Sequence, residues 1–282
     1  MNPISTLESL HELTDGFRKA NTTIGLVPTM GALHEGHLSL VKQSLAETAE
    51  TIVTIFVNPS QFAAGEDLDQ YPRTLDADLE KLAAVGVKHV FVPDDALMYP
   101  SGYSTSIVPP KVAAVLEGEF RPTHFSGVAT VVLKLFNMTR ADVAFFGQKD
   151  YQQVCVIRAM VEDLNVNTEV RVCPIIREAD GLALSSRNRY LDDEQRKTAL
   201  VLHKTLQHVS DLISSGQNDG FEIVTEMRQM LIDGGVDSID YAVVADPVTL
   251  ETADFIDGKV VALIAAYVGK TRLIDNLVID VG

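Results

Sequence analysis

The chain has 282 residues, 46% hydrophobic and 22% charged, with a formal net charge of −16. That composition argues against a disordered chain and leaves room for one large domain or two modest ones around a sizeable core. The acidic surplus excludes nucleic acid and an anionic membrane as main partners, though not a small anionic substrate held by local amides and cations.

The two cysteines, Cys155 and Cys173, form neither a metal-type spacing nor a disulfide framework. The N-terminal stretch has no basic region followed by an apolar one, so no signal peptide is expected there. The longest apolar run, 260–268, is strand-sized and far too short to span a bilayer. A cytoplasmic chain is the expectation.

In chain order, residues 23–27 read as a strand, followed by a loop and a helix over 36–49. Residues 52–57 (IVTIFV) form a continuous apolar run, as in a strand buried on both faces. A polar loop, 58–74, leads to a helix over 75–85, a strand at 89–93 and a helix over 126–140. The run VAFF at 143–146 is a strand that passes through GQKD into a helix over 151–164, and 170–176 is the next strand. Alternation of this kind implies a parallel sheet with right-handed crossovers, and ligands bind beyond the carboxyl ends of such strands.

After residue 176 the pattern changes. Helices are expected from Asp192 past His208 and over 221–233, then strands at 241–245, 260–268 and 272–279. The predicted fold is a Rossmann-like, doubly wound parallel sheet over 1–176 and a smaller α+β domain over 177–282 that closes over the active site.

Three loops carry chemistry. Met30-Gly31-Ala32-Leu33-His34-Glu35-Gly36-His37 lies between the first strand and its helix, where free amides and the helix dipole favour phosphate. Its glycines permit close backbone approach, and two imidazoles there can donate to phosphate oxygens. Zinc is a poor alternative, because HEGH is not HExxH and lacks a nearby third ligand. Gly147-Gln148-Lys149-Asp150 is the second strand-to-helix junction; Lys149 suits phosphate, while Asp150 is equally explained as a helix cap. Leu184-Ser185-Ser186-Arg187 offers two hydroxyls and a guanidinium, or simply a polar turn. Gly269-Lys270-Thr271 is not a P-loop, since Ile264 stands where that motif needs its first glycine.

Together these segments resemble the pantoate–β-alanine ligase family. PTMGALHEGH, VNPSQF with DLDQYPRT, LEGEFRPTHFSGVATVVLKLF, FFGQKDYQQ and READGLALSSRNRYL carry the resemblance. It implies ATP-dependent condensation of pantoate with β-alanine through a pantoyl adenylate, releasing AMP and pyrophosphate. By the same resemblance Met30 to His37, Gly147 to Asp150, Ile176 and Leu184 to Arg187 bind ATP. His34, His37, Lys149, Ser185 and Arg187 act on its phosphates. Gln61 and Gln153 hold pantoate against Val131 and Val132, with Asn58, Arg121 and His124 as further candidates. Magnesium on the phosphates, Asp78 as its contributor and a homodimer are also expected. Rival readings are a nucleotidyltransferase acting on a phosphorylated acceptor and a silent nucleotide-binding module. The uncharged Gln61 and Gln153 weigh against the first, and the intact His34, His37, Lys149 and Arg187 against the second.

Overall fold

The computed structural model describes residues 2–63, 65, 66 and 68–281. Two compact units emerge, residues 1–147 with 156–174, and residues 148–155 with 175–282.

In the first unit, α1 (Leu7–Lys19) precedes β1 (Ile24–Thr29), α2 (Glu35–Glu47) and β2 (Glu50–Ile55). Next come α3 (Leu75–Ala84), β3 (His89–Phe91), α4 (Asp95–Met98), α5 (Glu117–Phe120) and α6 (His124–Thr139). The sheet is completed by β4 (Val143–Gly147) and β5 (Glu169–Cys173). All pairings are parallel and the strand order is β3-β2-β1-β4-β5. Ile24, Leu26, Val27, Ile52 and Val53 are fully buried, as central strands covered on both faces require.

The order reverses between β1 and β4, which makes their carboxyl ends the switch point of the sheet. Pairing widens the crevice there. β1 stays paired with β2 as far as Thr29, but its pairing with β4 stops at Leu26. Pro28, which has no N–H to donate, lies just past that last pair.

In the second unit, α7 (Tyr151–Asp163) contributes its first turn, and α8 (Asp193–Ser214) and α9 (Gly220–Asp233) lie over an antiparallel sheet. Its strands are β6 (Ser238–Ala245), β7 (Val260–Val268) and β8 (Thr271–Ile279), in that spatial order. Asp192 caps α8 in a capping box with Gln195. Leu202, Leu206, Ile223, Met227, Ala262 and Ile264 build the core between helices and sheet.

Several boundaries differ from the sequence reading by a few residues, and two of the differences have a clear cause. The fifth strand ends at Cys173 rather than 176, because Pro174 cannot continue the ladder. Residues 148–155 group with the second unit. Tyr151 Oη donates to the Pro247 carbonyl at 2.9 Å, and the Asn276 amide donates to the carbonyls of Gln148 and Lys149.

Candidate active site

The loop after β1 is held in a conformation that its own sequence resists. Gly31 has φ +80° and Ala32 φ +50°, both left-handed, and an alanine there costs about 1–2 kcal/mol. α3 supplies the restraint. Asp78 is fully buried, and its carboxylate accepts from the Ala32 amide at 2.9 Å and the Leu33 amide at 2.8 Å. Thr74 Oγ1 donates to the same carboxylate at 3.0 Å. One turn along α3, Lys81 Nζ donates to the Leu33 carbonyl at 2.6 Å. Asp78, expected beside a metal, thus has both oxygens occupied by the loop that carries the histidines. Among the described residues no group of three or more His, Cys, Asp or Glu side chains forms a metal nest. The described residues thus build no all-protein cage for a metal, and Asp78 is engaged by the loop.

The histidines are ordered by the helix they begin. His34 is the N-cap of α2 and its Nδ1 accepts from the Gly36 amide at 3.2 Å; His37 Nδ1 accepts from the His34 amide at 3.4 Å. This is a capping box built from imidazoles. An Nδ1 that accepts leaves the proton of a neutral ring on Nε2, so each histidine presents an Nε2–H donor. The rings lie 4.1 Å apart between centroids. Both sit at a helix N-terminus, where charge and free amides favour an anion.

Gln61 closes the turn Pro59–Gln61, capped by Asn58. Asn58 is buried and saturated. Its Oδ1 accepts from Tyr99 Oη at 2.7 Å and Ser60 Oγ at 2.9 Å, while its Nδ2 donates to Gln61 Oε1 at 3.1 Å and the Gly127 carbonyl at 3.3 Å. Asn58 therefore fixes which way the Gln61 amide faces, and Gln61 Nε2 lies 3.1 Å from Met30 Sδ. α6 approaches this turn closely because residue 127 is glycine: a Cβ there would stand 2.4 Å from the Ser60 carbonyl oxygen. Val131, one turn along α6, and Val132 are buried.

Behind Gln61 lies a charged network. His124 Nδ1 is 2.9 Å from the Gln61 carbonyl and must be its donor, which leaves Nε2 to accept from Arg121 Nη1 at 3.3 Å. Burial and then the Arg121 charge push the His124 pKa down to about 4. Arg121 makes a two-pronged pair with Glu66 at 2.8 and 2.6 Å. Burial alone would raise the Glu66 pKa, but the hydrogen bond and charge of Arg121 prevail and lower it. Arg121 and His124, second-tier candidates for pantoate, thus face the scaffold under Gln61. A cavity of about 370 Å³ beside the His loop is lined by Met30, Gly31, Phe56, Arg73, Thr74 and Asp78.

The second unit holds the remaining candidates. Lys149 is mostly buried, with Nζ 3.5 Å from Asp150. The Leu184 amide donates to the Ile176 carbonyl at 2.9 Å, closing a hairpin. Ser185 caps the turn Ser186–Tyr190, its Oγ accepting from the Arg187 amide at 3.2 Å. Gln153 is half-buried in the first turn of α7. Thr74, Lys81, Tyr99 and Gly127 were missed by sequence reasoning. Of these only Gly127 carried a local signal, an isolated glycine in a helical pattern.

The profile of the pantoate–β-alanine ligase family matches residues 2–278. The chain belongs to that family. A pantothenate synthetase from Rhodopirellula baltica is 50% identical over 279 residues, covering 98% of each chain. The pantothenate synthetase structure from Thermus thermophilus superposes with a TM-score of 0.92 at 40% identity, covering 100% of this chain and 99% of its own. The ligase from Francisella tularensis, solved with β,γ-ATP and β-alanine, gives 0.81 at 36% identity over 98% and 97%. Members of this family are carbon–nitrogen ligases, and no helix among the described residues is long and apolar enough to cross a membrane.

Proposed function

We propose that the chain condenses pantoate with β-alanine at the expense of ATP, by way of pantoyl adenylate. The observation that carries this reading is the imidazole capping box, which fixes the His34 and His37 rings at the N-terminus of α2, beyond the switch-point strand β1. Family membership and the ATP- and β-alanine-bound relative support it.

In the first step a pantoate carboxylate oxygen bonds to the α-phosphorus while the bond from that phosphorus to the bridging oxygen breaks, releasing pyrophosphate. Negative charge grows on the bridging and non-bridging oxygens. His34 and His37 donate to it, and Lys149, Ser185, Ser186 and Arg187 supply further donors. In the second step the β-alanine amine attacks the activated carbonyl, the C–O bond to phosphate breaks, AMP leaves and a proton is lost. The free carboxylate would resist that attack; the acyl phosphate does not.

The pocket assigned to pantoate suits its two hydroxyls and paired methyls. Gln61 and Gln153 offer neutral amides, and Val131 and Val132 an apolar wall. Magnesium would be held chiefly by the nucleotide phosphates, where it would offset their negative charge. The chain assembles as a cytoplasmic homodimer. Pyrophosphate release from ATP tests the reading: it should require pantoate, and AMP and pantothenate should appear once β-alanine is added. Release that ignores pantoate would sink it.

A further inference from the structure

β8 carries two consecutive buried polar residues, Asp275 and Asn276. Nothing in the sheet asks for them. Their partners across β7 are Ile264 and Leu263, both apolar. Neighbours on a strand point to opposite faces, so the pair reaches in two directions from one rigid element.

Asp275 lies on the face shared with Leu273, Leu277 and Ile279, which pack in the core under α8 and α9. Its carboxylate takes both arms of Arg177, at 2.7 and 2.9 Å, and Arg177 Nη1 also donates to the Gly181 carbonyl at 3.1 Å. That ties down the hairpin closed by the Ile176–Leu184 hydrogen bond, which runs directly into Ser185, Ser186 and Arg187.

Asn276 faces the other way and is almost wholly buried. Its Nδ2 donates to the carbonyls of Gln148 at 3.1 Å and Lys149 at 2.9 Å, and its Oδ1 accepts from Gln148 Nε2 at 3.2 Å. The side-chain amide thus spends both donors and its acceptor on the loop that bears Lys149. No other residue type of this size offers two donors and an acceptor at once.

We propose that Asp275 and Asn276 are positioning residues for nucleotide binding: one strand holds the Lys149 loop and the Ser185–Arg187 turn in a common frame, so that both meet one triphosphate. The proposal rests on the nucleotide reading above. It goes beyond that reading in assigning the phosphate geometry to two residues of β8 that touch no substrate.

The test compares wild type with Asn276→Ala and Asp275→Asn by ATP titration calorimetry, steady-state kinetics and hydrogen exchange followed by mass spectrometry. Asn276→Ala should unfold cooperatively and bind ATP about tenfold more weakly, on the order of one lost positioning contact. Exchange should quicken over 148–151 alone, and KM for β-alanine should stay unchanged. Asp275→Asn keeps the side-chain shape and should quicken exchange over 176–188, with a smaller loss of ATP affinity. ATP affinity within about twofold of wild type together with unchanged exchange would overturn the proposal. So would a parallel loss for all substrates with protection falling everywhere, the mark of a merely structural role. If wild type itself bound no ATP, the nucleotide reading and the proposal would fall together.

Discussion

Replacing Asp78 by asparagine should release the His loop. The carboxylate accepts from two adjacent amides and a hydroxyl at 2.8–3.0 Å with no exposure to water. Asparagine keeps the shape but turns an NH₂ group towards one of those donors. One charge-assisted hydrogen bond is lost and one buried donor is left unsatisfied, which together cost about 2–4 kcal/mol. The left-handed Gly31–Ala32 pair then has less to oppose its relaxation, and His34 and His37 lose their fixed place. In a chain of this size the melting midpoint should fall by roughly 3–7 °C. Adenylation, measured as pantoate-dependent pyrophosphate burst, should slow about 10²-fold, the usual consequence of a misplaced catalytic group. Both effects should persist at saturating magnesium. An unchanged melting midpoint, with activity restored by added magnesium, would refute the loop restraint and make Asp78 a metal ligand.

Other substitutions probe the remaining parts of the site. His37→Ala should fold normally and lose about 10²–10³-fold in single-turnover adenylation, as for one aimed donor; a near-normal rate would show that its Nε2–H is idle. Tyr99→Phe removes the hydroxyl that fixes Asn58, so KM for pantoate should rise a few-fold, about 1 kcal/mol, with KM for ATP unchanged. Stability should also depend on His124. Its folded pKa of about 4 lies below the unfolded value of 6.5, so the unfolded chain binds the extra proton. Its contribution is complete above pH 6.5 and is lost as pH falls towards 4, on the order of 3 kcal/mol in all. Glu66, with its lowered pKa, adds to the loss at the acid end. Denaturant midpoints between about pH 7.5 and 4 should slope accordingly, and His124→Asn should flatten the slope.

What the sequence made legible follows from where the signals were local. Runs such as IVTIFV, short, rich in β-branched residues and apolar on both faces, fit covered strands, and the His loop announces itself by two glycines and two imidazoles at a strand end. α1 was not read from sequence because it buries little, Leu10 and Thr14, and leaves most of its surface wet. Asp78 reads as an ordinary acid in a first helical turn, since the amides it holds lie 45 and 46 residues earlier. Asp275 and Asn276 sit inside an apolar strand pattern, with partners 98 to 128 positions away. A polar residue whose partners are distant in sequence leaves no periodic trace. Only the folded chain shows what it holds.

The measurement closest to the central claim follows one oxygen. Pantoate labelled with oxygen-18 in its carboxylate, turned over with ATP and β-alanine, should deliver one labelled oxygen to the phosphate of AMP per pantothenate formed. AMP without label, or label recovered in pyrophosphate, would mean that the carboxylate does not attack the α-phosphorus.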